Sequence, residues 1–292
     1  MIMRAHQLCA LAQQHLGEDY DFRLLRMPGQ STPGLQSLWA RTRPRGGIYF
    51  MTKVCTRALT TENALRLQAK ADGVIFDHVD SDLRDIRIPG ADVHLCCSYD
   101  MLAALKARQL RESIPGKPML LLHNADARLY DQSFPGTDHF SPVYCGTESL
   151  GHLPDPIRAR MDILDGSGVA SMEEAIRRLP NYNFHYCLRS DDNPDDELYK
   201  PFTKGFTAAV CRSNVMAHRE TSDVVEFLGE DYPYLVSSLS DQEVLDTLDR
   251  ASLGFGGADW QRGMEMMRSV EDRISPSAIA AQIKSILREL GV

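Results

Sequence analysis

At 292 residues, with 43% apolar and 25% charged side chains, the chain has room for one large domain or two of ordinary size in a soluble globular protein. A net charge of −8 argues against broad nucleic-acid binding. The seven cysteines are odd in number and form no CxxC pair, which suits reduced, buried thiols of a cytoplasmic protein rather than a zinc site. No apolar run reaches the roughly 18–20 residues that span a membrane, and the N-terminus is too polar for a secretory signal.

In chain order, the N-terminal segment reads as an amphipathic helix with Leu8, Leu11, Ala12 and Leu16 on one face. A short strand, FRLLRM, follows within 20–27, then a turn-rich loop from Pro28 to Gly34 and a helix over 35–41. Further strands are expected at 47–51, 73–76, 92–97 and 119–123. Helices are expected at 60–71, with Thr60 as cap, and at 99–111, capped by Ser98. This alternation predicts a parallel sheet with helices on both faces. The third strand runs into Asp77-His78-Val79-Asp80-Ser81-Asp82. A carboxylate–imidazole pair there could serve as general base, or the loop could simply be solvated, with an aspartate capping a helix. The Pro/Gly-containing stretch 131–139 marks a domain boundary near residue 138, giving domains 1–138 and 139–292.

The second half opens with a strand at 141–144 and a turn at Cys145-Gly146-Thr147, where a glycine lets backbone approach a ligand or merely makes a β-turn. A short helix is expected at 156–164 and a clearer one at 171–179, with Ser171 and Glu174 as a capping box. A strand over 183–189 leads to an acidic, exposed loop at 190–197. The most informative stretch is Lys200 to Val236. Thr203 begins a helix of small and apolar residues, and Lys200 and Lys204 sit at or before its first turn, the end that already carries partial positive charge. Cations placed there suit an anion such as a phosphate. A strand at 215–218 ends in the polar turn Arg219-Glu220-Thr221-Ser222-Asp223, at the sheet edge where ligands bind in open α/β folds. Helices over 240–251, 259–274 and 277–290 complete the chain, and the methionines of the second read as core filling.

The order KPFTK…N…RETSD…LGEDYPYL resembles the nucleotide-sugar half of GT-B glycosyltransferases, in a bacterial polysaccharide or glycolipid branch. His123-Asn124-Ala125-Asp126 resembles the end of that family's first domain. The resemblance implies an α/β chain with two Rossmann-like, doubly wound parallel-sheet domains facing a cleft, the last helices crossing back onto the first. It further implies transfer of a sugar from a nucleoside-diphosphate sugar to a glycan or lipid-linked acceptor. No separate cofactor, metal or nucleic acid is expected to take part, and peripheral membrane contact is left open. Lys200, Thr203 and Lys204 would hold the diphosphate. Gly146 and Thr147 match the loop facing the donor by order, and Arg219, Glu220, Thr221, Ser222 and Asp223 would face the sugar, ribose or base. Asp77, His78, Asp80 and His123 are the candidate bases by position. Asp80-Ser81-Asp82 has the letters of a metal-binding DxD but follows a strand of the wrong domain. Lys200-Pro201 stands where the retaining branch carries a glutamate, which leans toward inversion. The alternatives are a catalytically silent module of this fold that binds a glycan or a partner enzyme, or a nucleotide-sugar epimerase or hydrolase.

Overall fold

The computed structural model describes residues 2–86, 89–190 and 199–292, so the acidic loop expected at 190–197 lies, apart from Ser190, outside the described residues. The chain divides into two units. Of the described residues, unit 1 comprises those within 2–124, 199–201 and Pro276–Val292; unit 2 comprises 125–190 and Phe202–Ser275. The segment 131–139 belongs to unit 2, where Arg212 lies over the Phe134 ring and the Tyr130 hydroxyl donates to the Ile274 carbonyl.

Unit 1 holds a sheet of parallel strands in the order β1 (Ile48–Thr52), β2 (Gly73–Asp77), β3 (Val93–Cys96), β4 (Lys117–Leu120). Strand β2, GVIFD, is buried from end to end, as befits a strand covered on both faces. The order runs one way, so right-handed crossovers put the connecting helices on a single face. The terminal helices Leu8–Leu16 and Pro276–Glu289 pack on each other, and Leu290 closes on Gly73 while Glu289 pairs with Lys117 at 2.7 Å. Thr60 and Ser98 cap their helices as expected, accepting from the amides of Asn63 and Met101. FRLLRM forms no strand: Leu24 and Leu25 are half-exposed on an irregular segment, because no neighbouring strand pairs with it among the described residues. Leu8, Ala12 and Leu16 are buried, and Leu11 lies at the margin of that face.

Unit 2 holds a parallel sheet in the order β6-β5-β7-β8-β9, with β5 Pro142–Gly146, β6 Asp162–Asp165, β7 Phe184–Tyr186, β8 Asn214–His218 and β9 Leu235–Val236. Its core is aromatic. Phe184 sits 5.2 Å from both Phe140 and Tyr234, tilted to the first and edge-on to the second, and stacks on Trp260 at 6.2 Å, ring centre to ring centre, contacts that add to area burial. The helix expected over 156–164 is instead a turn of helix at Asp155–Arg158 followed by β6, whose pairing with β5 overrides the local pattern. Ser171 lies inside the helix Val169–Arg178, where its hydroxyl accepts from the Gly168 amide at 3.0 Å rather than capping as the first residue.

The helix Thr203–Val210 depends on Gly205. A Cβ there would lie 2.0 Å from the Phe202 ring, which packs edge-on against Phe206. Gly→Ala inside a helix normally stabilises by up to about 1 kcal/mol. Gly205→Ala is expected to do the reverse, destabilising by roughly 1–3 kcal/mol through overpacking, which thermal or denaturant unfolding will measure.

Candidate functional site

The strand order of unit 2 locates its ligand crevice. From β5 the chain crosses to β6 on one side, and from β7 it crosses to β8 on the other. Connections leaving in opposite directions open a crevice outside the carboxyl ends of β5 and β7. β5 ends at Gly146 and β7 at Tyr186, and the helix Thr203–Val210 starts after β7 and presents its partially positive end.

Lys204 reaches this point. Its Nζ is removed from solvent, lies 3.8 Å from the centre of the Tyr144 ring, and is 3.3 Å from where a Cβ on residue 146 would stand. Gly146 has φ +150, a conformation that side-chain-bearing residues rarely adopt. Its backbone also lies against Gly166, where an added Cβ would approach the Gly146 Cα to 2.9 Å. The Tyr144 hydroxyl donates to the Thr147 carbonyl at 2.8 Å, fixing the loop that follows β5. The cation–π contact compensates part of the cost of removing an ammonium from water, an attraction of about 0.5–2 kcal/mol. The helix terminus works against it.

The charge marks its neighbours. Burial pushes the Cys145 thiol up to about 11 and the Cys187 thiol up to about 12, against the pull of Lys204. Burial, then Lys204, brings His185 down to about 3. The His185 Nε2 is buried without a hydrogen-bond partner among the described residues.

Of the residues singled out from sequence, the structure therefore brings together Gly146, Thr147 and Lys204 at the switch point, with Thr203 one position before Lys204 on the helix. Lys200 belongs to unit 1. The turn 219–223 follows β8, next in the sheet to β7. There the Arg219 guanidinium is taken up by Glu230 at 2.8 Å and by the Ser237 hydroxyl. Glu220 is exposed, Thr221 and Ser222 are half-buried, and Asp223 is buried with φ +62.

The candidate bases all lie in unit 1. Asp77 is fully buried, and both its oxygens accept from Arg4, at 2.9 and 3.1 Å. Arg4 also donates to the carbonyls of Leu121 and Leu122, so this carboxylate anchors the helical segment Ile2–Gln7, which runs into the first helix Leu8–Leu16, to the ends of the sheet. His78 and His94 form a buried chain, Nε2 to Nδ1 at 2.8 Å, and His94 Nε2 donates to the Pro115 carbonyl at 2.7 Å. Asp80, at φ +55, pairs with Lys53 at 2.6 Å and keeps a part-exposed carboxylate. His123 is buried, with Nδ1 2.8 Å from the Asn124 carbonyl. Burial first, then Arg4, brings it down to about 4. Arg4 and Tyr144 were not among the residues sequence reasoning selected. Among the described residues no group of three or more His, Cys, Asp and Glu side chains is placed to hold a metal ion.

These histidines predict an acid limb in stability. His123 and His185 are held neutral in the fold, at about 4 and 3, and burial also lowers His78 and His94. The unfolded chain binds their protons from about pH 6.5 downward, whereas the folded chain does not. Stability is therefore complete above about pH 6.5 and falls as pH drops toward the folded values. Each imidazole contributes up to about 1.4 kcal/mol per pH unit. Denaturant titrations at pH 7.5, 6 and 5, where carboxylates are still largely ionised, should show the decline.

No protein-family model matches the chain, and no curated protein matches it in sequence. Among solved structures it is similar to a UDP-forming α,α-trehalose-phosphate synthase from Burkholderia vietnamiensis, with TM-score 0.55 and 11% identity over 91% of this chain and 81% of that one. A second such enzyme, from Burkholderia xenovorans in complex with glucose-6-phosphate, gives TM-score 0.57 and 9% identity over 89% and 76%. Anabaena HepE in complex with UDP gives TM-score 0.53 and 12% identity over 82% and 79%. At such identities the likeness speaks to architecture, and with a parallel α/β sheet in each of its two units the chain has the fold of the GT-B glycosyltransferases.

Proposed function

We propose that this chain is a glycosyltransferase that takes a sugar from a nucleoside diphosphate, UDP in the first instance, and passes it to an acceptor hydroxyl on a glycan or lipid-linked saccharide. The observation that carries the reading is the Lys204 ammonium, removed from water beside Gly146 at the crevice between β5 and β7. In the reaction the bond from the anomeric carbon to the diphosphate oxygen breaks, its electron pair leaves with the diphosphate, and the acceptor oxygen bonds to that carbon. Charge growing on the leaving oxygens meets Lys204 and the positive end of the helix Thr203–Val210, fixed before reaction begins. The tyrosine under the ammonium and the glycine beside it hold it in place and leave the backbone room for a phosphate.

The acceptor proton must pass to a general base. Asp77 and His78 are engaged inside the fold, which leaves the role to Asp80, with its part-exposed carboxylate, or to the neutral imidazole of His123. Lys200-Pro201 in place of a glutamate supports inversion at the anomeric carbon. With Lys204 taking the diphosphate charge, transfer proceeds in the presence of EDTA.

The neighbours' names supply the first substrates to try: two are trehalose-phosphate synthases, one of them holding glucose-6-phosphate, and a third structure contains UDP. The test incubates the protein with UDP-, GDP-, TDP- and ADP-linked sugars, with and without sugar-phosphate and lipid-linked acceptors. Nucleoside diphosphate release that requires acceptor supports the reading. Free sugar released without acceptor indicates a hydrolase, and nucleotide binding without turnover indicates a silent module.

A further inference from the structure

Between Phe22 and Thr61 the chain contains no aspartate or glutamate, within a protein whose net charge is −8. The same stretch carries Arg23, Arg26, Arg41, Arg43 and Arg45, followed by Lys53 and Arg57. Internal partners use up only some of this charge. Arg23 pairs with Asp21 and Lys53 with Asp80, and Arg57 donates to the Asp80 carbonyl. Arg26, Arg41 and Arg45 have no carboxylate partner among the described residues, and Arg43 lies over the Trp39 ring at 5.1 Å. Lys70 joins them, its ammonium on the carbonyls of Arg41 and Arg43 and close enough to Arg43 and Arg45 to feel their charge. The nearby carboxylate of Asp72 is occupied by the Gly47 amide at 2.7 Å.

The helix Pro33–Thr42 in this stretch packs inward through Gln36, Ala40 and the partly buried Trp39 and leaves leucines outside. Its inward face carries Gln36, fully buried and bonded to the Ala58 carbonyl, the Thr60 amide and Asn63. Its outward face carries Leu35 and Leu38, 58% and 49% exposed, with Arg41 next along the same stripe. An outward row of leucines that continues into arginines is the pattern of a helix lying at a lipid surface. Leu24 and Leu25, about half-exposed on the preceding segment between Arg23 and Arg26, repeat the pairing of apolar and cationic side chains. A nucleic acid would use the arginines but give the leucines nothing to enter.

We propose that the face formed by the helix Pro33–Thr42 and its flanking arginines docks on an anionic lipid bilayer, with Leu35 and Leu38 entering the headgroup–acyl boundary and Arg41 and Arg45 meeting lipid phosphates. The inference stands apart from the proposed activity, since neither the leucines nor these arginines belong to the unit 2 crevice.

The test is flotation of the full chain with vesicles of phosphatidylcholine alone and of phosphatidylcholine containing phosphatidylglycerol, at low and physiological salt. Binding is expected to the anionic vesicles only and to weaken with salt. Arg41→Glu/Arg45→Glu should lower the partition constant by about thirtyfold or more, on the usual scale for two basic residues at a charged surface. Leu35→Ser/Leu38→Ser, at exposed positions that leave the melting temperature unchanged, should lower it at least tenfold with all charges intact. Absence of binding to anionic vesicles overturns the proposal. So does binding unaffected by the leucine pair, and so does equal affinity for heparin or RNA, which would reveal a polyanion site without lipid insertion.

Discussion

Lys204→Met should abolish the thermal stabilisation given by UDP and its sugars and lower transfer by about a hundredfold to a thousandfold, the usual cost of removing a preorganised group that meets transition-state charge. Without ligand, the variant should melt at the same temperature as the native protein or higher. The ammonium stands out of water and at the positive end of a helix, both unfavourable to it, while methionine retains the apolar contact with Tyr144. A lysine kept for stability would give the opposite result, with a lower melting temperature and nucleotide binding little changed. Calorimetric titration of UDP into both proteins, beside their melting curves, separates the two roles.

Arg4→Met is expected to be the most damaging single change in unit 1. Asp77 is 0% exposed, and Arg4 is its bidentate partner as well as the donor to two carbonyls beyond β4. Removing one member of a buried ion pair leaves the other charge uncompensated and costs about 3–5 kcal/mol. Replacing both, as Arg4→Met with Asp77→Leu, should recover much of that loss, because two apolar groups leave no stranded carboxylate. Urea unfolding of the single and double variants measures the difference. A loss under about 1 kcal/mol for Arg4→Met would mean that the first helix is held by its leucines alone.

The residues that punctuate the chain were readable because their chemistry is local. Thr60 and Ser98 accept their cap hydrogen bonds where a hydroxyl before an apolar-periodic run predicts them. The run TKGFTAAV makes a helix because small residues let it lie close on a sheet, and Lys204 at its start is conspicuous as a cation at the wrong end. What strand pairing decides was not readable. Met161-Asp162-Ile163-Leu164-Asp165 has too little apolar pattern to announce a strand and becomes β6 through β5. FRLLRM has the letters of a strand and finds no partner. The crevice between β5 and β7 depends on strand order, which no local window contains. Arg4 and Tyr144 escaped notice for a related reason: an arginine on an amphipathic helix looks solvated until Asp77 is seen across from it, and a tyrosine in a strand looks like core until Lys204 is seen above its ring.

A crystal structure of the chain with UDP bound tests the central claim most directly. The diphosphate should lie at the carboxyl ends of β5 and β7, with a phosphate oxygen within hydrogen-bonding distance of the Lys204 Nζ and the backbone at Gly146 in van der Waals contact with it. UDP bound elsewhere, with the Lys204 ammonium still over Tyr144 and no phosphate against it, would contradict the account.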